Sequence, residues 1–325
     1  MEIIMNDVLK KISDIGIVPV VVLDDAKDAK PLAQALIAGG LPCAEVTFRT
    51  AAAEESIKIM TEAFPDMLVG AGTVLTTEQA DRAINAGAKF IVSPGFNEKI
   101  VKYCLEKGVP MVPGINNPTG IEAALELGLD TVKFFPAEAS GGIDMIKAMA
   151  APYTAVKFMP TGGINAKNIC DYLSFDKIIA CGGSWMVKKD LVAAGKFDEI
   201  QKLTEEAVRL MLGFTLKHVG INCESEGEAT GVCDSFDKLF GFATKVGNSS
   251  VFAGSFVEAM KTVGRGAKGH IAIGTNSVSR ARHYLETVKG AKFIEESASY
   301  KGDKLNAIYL EGEIGGFAVH LVNNK

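Results

Sequence analysis

At 325 residues the chain exceeds the size that one hydrophobic core usually serves, so we expect a large domain followed by a smaller one. Its net charge of −5 gives no electrostatic attraction to nucleic acid or to an anionic membrane. The N-terminal segment lacks the pattern of a signal peptide, and no apolar stretch approaches the roughly 20 residues that span a bilayer. These features predict a cytoplasmic protein with a small-molecule substrate and with no nucleic-acid or membrane partner.

The six cysteines are scattered, and none forms a Cys-x-x-Cys pair. Several lie inside apolar runs, where a thiol behaves as a small hydrophobic group. We therefore expect reduced core thiols.

Eight short apolar runs alternate with amphipathic helical segments in the first 200 residues. These runs cover 17–23, 43–48, 67–72, 90–95, 110–114, 131–136, 155–163 and 177–184. Strands that are apolar on both faces are typical of parallel sheets covered by helices. The pattern predicts a closed (β/α)₈ TIM barrel over residues 1–212, although a doubly wound open sheet gives a similar pattern. A helix over 197–212 ends at Gly213, where we place the start of a second domain, 213–325.

The sixth run places a lysine in an apolar strand, with Lys133 between Val132 and Phe134. A charged lysine is costly to bury, so we expect this amine to lose its proton easily and to act as a Schiff-base nucleophile. A lysine that reaches the solvent at the rim, or one half of a buried ion pair, would give the same local sequence.

The second run and the residues after it place polar groups on one face. Glu45, Thr47 and Arg49 alternate at the period of two that a strand requires. A carboxylate beside Lys133 can shuttle protons, and an arginine can bind a substrate carboxylate, although an internal salt bridge fits equally well. Thr73, which follows the third run, either faces the same centre or caps a helix.

Two glycine pairs end the last two strands of the predicted barrel, in PTGGIN (160–165) and CGGSW (181–185). Glycine allows the backbone to approach a ligand, and N–H groups at the start of a following helix suit an anion. These two loops are also the usual phosphate position in this fold.

Residues 10–212 closely resemble the 2-keto-3-deoxy-6-phosphogluconate (KDPG) aldolases, a family that also acts on 4-hydroxy-2-oxoglutarate (KHG). The matching stretches are EVTFRT, GAGTVL, FIVSPGF, KFFPAE, PTGGI and GGSW. The resemblance implies Lys133 as the Schiff-base lysine and Glu45 as the general acid/base. It implies that Arg49 and Thr73 contact the pyruvyl carboxylate and that Pro94 and Phe135 form the pocket wall. It implies that the substrate phosphate is bound by Thr161, Gly162, Gly163, Gly183 and Ser184.

The same resemblance implies a lyase of the Entner–Doudoroff pathway that cleaves KDPG to pyruvate and glyceraldehyde 3-phosphate, or KHG to pyruvate and glyoxylate. It implies a homotrimer that needs no cofactor for this reaction. The chain departs from the family in INNPTGIEAA (115–124), a loop that helps to select the substrate tail. The alternative from the residues themselves is a phosphate-binding barrel isomerase or synthase that forms no imine.

The second domain contains a duplication of about 50 residues per copy, because 216–222 and 268–274 are near copies. His218 and His270 occupy the same position of the two copies, and Glu258 and His320 lie in what we predict to be their last strands. Two equivalent pairs would supply four metal ligands, unless these are ordinary surface or core histidines.

This half resembles the vicinal-oxygen-chelate superfamily of glyoxalase I, built from paired βαβββ modules that share a divalent metal (Zn, Ni, Mn or Fe). The resemblance implies metal ligation by His218, Glu258, His270 and His320, the last of which replaces the usual glutamate. It names no reaction, because fold does not determine function. The alternative is a non-catalytic ligand-binding or oligomerising unit.

Overall fold

The structure is a computed structural model that describes residues 6–324. The chain divides into two compact units, Met1–Met211 and Leu212–Lys325. All six cysteines are free thiols, and all but Cys170 are buried. Within residues 6–324, no helix is both long and apolar enough to cross a membrane.

The first unit alternates strands with helices. Its strands are β1 Ile17–Val21, β2 Cys43–Thr47, β3 Leu68–Gly72, β4 Ile91–Val92, β5 Met111–Val112, β6 Gly114–Ile115, β7 Thr131–Phe134, β8 Lys157–Pro160 and β9 Cys181–Gly183. Its helices are α1 Asp7–Ile15, α2 Ala29–Ala38, α3 Ala53–Ala63, α4 Thr77–Asn85, α5 Glu98–Glu106, α6 Pro118–Glu126, α7 Gly142–Ala150, α8 Ile169–Leu173, α9 Lys189–Ala193 and α10 Phe197–Leu212.

These strands form a curled parallel sheet in which neighbours follow the chain order, except that β9 pairs with β1. One set runs β5-β4-β3-β2-β1-β9 and the other β6-β7-β8. Only Pro113 separates β5 from β6, and it splits the fifth predicted strand because proline has no N–H to donate. Parallel bridges from Phe158 to Ile178 and from Thr161 to Gly182 link the region of β8 to that of β9.

Local side-chain caps fix where several helices begin. Thr76 accepts a hydrogen bond from the Gln79 N–H at the start of α4, and Asn117 caps α6, whose first residue is Pro118. Their apolar faces cover the sheet, so strand residues such as Val69 are completely buried. Because the strands are parallel, their carboxyl ends lie at one edge and can assemble a site there.

Within residues 212–324, the second unit contains one mostly antiparallel sheet, two α-helices and a short 3₁₀ helix at Glu295–Ser297. Its strands are β10 Thr215–Asn222, β11 Thr244–Val246, β12 Ser250–Ala253, β13 Val257–Met260, β14 His270–Thr275, β15 Ser299–Lys301, β16 Lys304–Ile314 and β17 Phe317–Asn323. Its helices are α11 Glu226–Phe240 and α12 Val278–Lys289. The order strand, helix, three strands therefore occurs twice.

The sheet order, β11-β12-β13-β10-β14-β17-β16-β15, repeats this duplication in space. The first strands of the two copies, β10 and β14, pair antiparallel at its centre, with Gly220 opposite His270 and His218 opposite Ala272. The two copies are offset by 52 residues, so His270 is the counterpart of His218 (270 − 218) and Ala272 is the counterpart of Gly220 (272 − 220). Replacing each residue by its counterpart turns one of these pairs into the other. The two copies are thus related by an approximate twofold axis.

Candidate active site and candidate metal centre

The centre of the first unit is a buried ion pair between β7 and β2. Lys133 Nζ lies 3.1 Å from Glu45 Oε1, and the two side chains are 6% and 1% exposed. Lys133 Nζ also lies 5.5 Å from the centroid of the Phe135 ring. The other carboxylate oxygen, Glu45 Oε2, is buried with no hydrogen-bond partner among residues 6–324. Since buried polar atoms are normally paired, Oε2 is available to a ligand or a proton.

A glycine provides the space for this carboxylate. In the parallel pairing of β2 and β3, Gly72 lies opposite Thr47, and a Cβ on Gly72 would come 2.1 Å from Glu45 Oε1. Sequence reasoning missed this role, although a glycine inside a buried strand is a signal of close approach.

Arg49 and Thr73 form a second pair immediately beyond β2 and β3. Arg49 Nε donates to Thr73 Oγ1 over 3.2 Å, and Thr73 has a positive φ of 56°, an uncommon conformation for a residue other than glycine. The helix α4 is capped by Thr76, so Thr73 is not a cap. Thr47 has a structural partner instead, because its hydroxyl donates to the Val21 carbonyl.

The predicted pocket wall lies near the lysine. Gly114 pairs with Lys133, and a Cβ on Gly114 would come 2.1 Å from the carbonyl oxygen of Pro94. The Phe135 ring extends from Lys133 toward Gly162, where an added Cβ would come 3.4 Å from it. The wall residues therefore connect the lysine to the glycine pair after β8.

At the predicted phosphate end, Gly162 and Gly163 both have positive φ values, 99° and 84°. Thr161 bridges to Gly182, next to Gly183, and its hydroxyl is buried without a hydrogen-bond partner among the described residues. Ser184 is exposed.

A helix follows each glycine pair, but only after several intervening residues. The short helices α8 and α9 begin only at Ile169 and Lys189, because turns and bends fill the intervening residues.

One contact beside the glycine pair was not predicted. Tyr172 donates a hydrogen bond from its hydroxyl to Glu138 Oε1. Burial raises the pKa of Tyr172, and the bond to Glu138 adds to this effect. A Cβ on Gly163 would come 2.5 Å from Glu138 Cγ, so this carboxylate lies against the glycine pair. The glutamate of KFFPAE was the signal available in the sequence.

In the second unit, all four predicted ligands lie on one face of the sheet. His218, His270 and His320 each present a ring nitrogen within 4.8 Å of the others. Glu258 Oε2 lies 3.0 Å from His218 Nε2 and 3.1 Å from His270 Nε2. The residues of the two sequence copies are thus brought together in space.

Burial and the neighbouring groups shift the pKa values of Glu258 and His320 in this cluster. Burial by itself would raise the pKa of Glu258, but bonds to His218, His270 and the Ser250 hydroxyl outweigh it and hold that pKa well below its usual value. Burial, reinforced by the neighbouring imidazoles, lowers the pKa of His320 to about 4. His320 Nε2 is buried with no hydrogen-bond partner among residues 6–324.

Two aromatic residues flank the cluster at equivalent places in the two copies. Phe252 pairs with Glu258 across β12 and β13, and Tyr309 pairs with His320 across β16 and β17. The Phe252 ring lies 5.7 Å from that of His218, and the Tyr309 ring 4.7 Å from that of His320. Sequence reasoning identified neither residue.

Comparison with known proteins places the first unit in a family. The family model described as "KDPG and KHG aldolase", of the aldolase class, matches residues 8–203. The 2-dehydro-3-deoxy-phosphogluconate aldolase of Treponema pallidum is 49% identical over 207 residues, which cover 64% of this chain and 99% of that relative. Its counterpart in Haemophilus influenzae is 50% identical over 206 residues, which cover 63% and 97%.

Among solved structures, a KDPG aldolase from Legionella pneumophila matches with a TM-score of 0.60 and 37% identity. The match covers 61% of this chain and 97% of that one, and pyruvate is captured in that crystal as a covalent carbinolamine intermediate. The chain is accordingly a lyase of the aldolase class. It belongs to the KDPG and KHG aldolase family.

The buried pair makes a testable prediction about stability. Lys133→Met should lower the free energy of unfolding of the first unit by about 3–5 kcal/mol, because it leaves the Glu45 carboxylate buried without its partner. Lys133→Met combined with Glu45→Gln should cost clearly less. Fluorescence of Trp185, the single tryptophan, followed in urea reports this unit selectively.

The exposed pair Lys10–Asp14 provides the control, since Lys10→Met should change stability by only about 0.5 kcal/mol. Strictly additive costs of the two buried substitutions would show that Lys133 and Glu45 do not interact.

Proposed function

We propose that the first unit is a closed (β/α)₈ barrel that acts as a class I aldolase on pyruvate-derived substrates, with Lys133 as its nucleophile. The observation that carries the proposal is the 3.1 Å contact between Lys133 and Glu45 in a site from which water is largely excluded. A buried amine next to one carboxylate has what imine chemistry needs, a nucleophile and a group that exchanges protons with it.

The reaction can be written with these two groups alone. Proton transfer from Lys133 to Glu45 leaves a neutral amine, which attacks the C2 carbonyl carbon of the substrate. One proton of the bound amine moves to the C2 oxygen to give a carbinolamine, and Glu45 then returns its proton to the same oxygen. The oxygen departs as water, and a protonated imine remains. The carboxylate then removes the proton of the C4 hydroxyl and the C3–C4 bond breaks. The bonding electrons pass into an enamine of pyruvate, which is protonated at C3 and hydrolysed.

The surroundings of the pair suit such a substrate. We assign the pyruvyl carboxylate to the Arg49 guanidinium, whose Nε donates a hydrogen bond to Thr73. Phe135 and Pro94 form the wall next to Lys133, and Thr161 has a hydroxyl without a partner among the described residues. The covalent pyruvate adduct of the Legionella relative supports the same chemistry here.

The alternative, a phosphate-binding isomerase or synthase without an imine, would keep Lys133 and Glu45 as a permanent ion pair. Reduction with borohydride in the presence of pyruvate distinguishes the two. We expect a stable adduct on Lys133, detected by mass spectrometry of the peptide, and complete loss of the adduct and of cleavage activity in Lys133→Ala. Lys157→Ala, in the neighbouring strand, is the control and should retain both. Full activity of Lys133→Ala would overturn the proposal.

For the substrate, we propose KDPG, cleaved to pyruvate and glyceraldehyde 3-phosphate, with KHG as a second substrate cleaved to pyruvate and glyoxylate. The glycine loops at Gly162, Gly163 and Gly183, with Ser184, are the phosphate end of the pocket. A cytoplasmic homotrimer stays a prediction.

The phosphate assignment predicts a selective effect of Ser184→Ala. Loss of one hydroxyl contact to a charged group should raise the KM for KDPG about tenfold and leave the KM for KHG unchanged. Steady-state assays of pyruvate release measure both. Equal effects on the two substrates would show that Ser184 does not contact the phosphate.

For the second unit, we propose a vicinal-oxygen-chelate module that holds a divalent metal. The donor set fits, because three imidazoles and one carboxylate suit Zn, Ni, Mn or Fe, and the buried His320 Nε2 has no other partner among the described residues. His218, Glu258, His270 and His320 would hold the ion. When bound, such an ion polarises two neighbouring oxygens of a ligand.

Metal analysis of the purified full chain tests this module. We expect about one equivalent of divalent metal per chain, lost in His270→Ala. His283→Ala is the matched control, because that histidine lies on α12 outside the cluster. The same metal content in wild type and His270→Ala would contradict the assignment.

A further inference from the structure

The twofold arrangement of the second unit brings unlike residues to equivalent positions. Glu258 and Phe252 occupy one side of the histidine cluster, whereas His320 and Tyr309 occupy the matching positions on the other. One side is therefore anionic and apolar. The opposite side carries the phenol of Tyr309 and the imidazole of His320, whose Nε2 has no hydrogen-bond partner among residues 6–324.

The positive charge of Arg265 increases the difference in charge between the two sides of the cluster. The Arg265 guanidinium carbon lies 5.5 Å from the centroid of the Tyr309 ring, and that ring lies next to His320. Within the described part of the chain, no ion pair or hydrogen bond engages the guanidinium. Arg265 lies in the loop between β13 and β14.

The backbone on both sides of Arg265 is fixed. Asn222, at the end of β10, accepts a hydrogen bond from the Gly264 N–H over 3.0 Å and donates to the Gly266 carbonyl over 2.9 Å. Gly266 packs so closely that an added Cβ would come 2.0 Å from the Gly269 carbonyl oxygen. A loop held in this way limits the positions of the guanidinium and reduces the entropy lost when it binds a ligand.

The charge of the metal donor set also favours an anionic ligand. Three neutral imidazoles and the Glu258 carboxylate would leave a divalent ion with one uncompensated positive charge, since His320 stands where a second carboxylate would neutralise it. A monoanionic ligand compensates that charge. Its anionic end is favoured on the Tyr309 and Arg265 side and disfavoured near Glu258.

We infer that the second unit binds a small 2-oxo carboxylate, and that Arg265 and Tyr309 bind its carboxylate and set its orientation. The two neighbouring oxygens of this class suit a divalent ion, and the single negative charge suits Arg265. This inference rests on the proposed metal module. It adds a ligand class and two binding residues outside the metal donor set.

Cobalt spectroscopy tests the inference without an activity assay. The full chain is loaded with Co²⁺, and its visible spectrum is followed during titration with pyruvate in excess over protein. Pyruvate bound at Lys133 does not contribute, because the spectrum reports only ligands at the cobalt. Hydroxyacetone, a neutral compound with neighbouring carbonyl and hydroxyl oxygens, is titrated in parallel.

We expect pyruvate to change the spectrum, and Arg265→Gln to raise its Kd about tenfold without altering Co²⁺ affinity or the response to hydroxyacetone. Tyr309→Phe should weaken pyruvate binding in the same selective way, and Arg265→Lys should restore part of it. Lys268→Gln, an exposed residue on the same loop, is the matched control and should bind pyruvate like the wild type.

The outcomes separate the inference from its foundation. Failure of Co²⁺ to bind, or binding that survives His320→Ala, overturns the metal module and this inference with it. Bound cobalt whose spectrum ignores pyruvate overturns the inference alone. So does an Arg265→Gln variant that weakens pyruvate and hydroxyacetone equally, because the arginine would then act only on loop structure.

Discussion

The contact between Lys133 and Glu45 is the constraint on which the first unit depends. Two opposite charges withdrawn from water are tolerated only where their geometry compensates for the lost hydration. The fold meets that condition by placing β2 and β7 so that both side chains point into one interior, and by omitting a side chain at Gly72, where the carboxylate lies. Because water is largely excluded, a proton that leaves the amine has one acceptor close at hand. The reactivity we propose is thus a consequence of how the interior is packed.

The second unit gathers its polar residues in a different way. Pairing of β10 with β14 puts the approximate twofold axis between these two strands, so four groups that are far apart in the sequence converge near that axis without individually arranged loops. Duplication by itself would give a symmetric cluster. The difference between Glu258 and His320 removes that symmetry, because one side of the cluster then carries a carboxylate and the other an imidazole. A pair of histidines alone would not produce this uneven charge distribution.

Sequence patterns predicted the features that depend on local periodicity. Alternation within a strand identified Glu45, and one lysine in an apolar run identified Lys133, because burial of a strand interior is visible in its composition. The hydrogen bond from the Thr47 hydroxyl to the Val21 carbonyl was not predicted, since this partner lies on another strand and no local pattern reveals it.

Phe252 and Tyr309 escaped notice because the connections in the two copies differ in length. Six residues separate Phe252 from Glu258 (258 − 252), but eleven separate Tyr309 from His320 (320 − 309). Aligning the copies by number therefore fails where aligning them by strand pairing succeeds. Identifying these two residues therefore requires the strand register as well as the sequence repeat.

The central position of β10 also shapes how the second unit folds. Its neighbours are β13, from its own copy, and β14, from the other copy. Neither copy alone can therefore hydrogen-bond both edges of its first strand. A chain that stopped after the first copy would expose the long flank of β10, and unpaired strand flanks invite aggregation. A single copy could cover the same flank only by pairing with the first strand of a second chain.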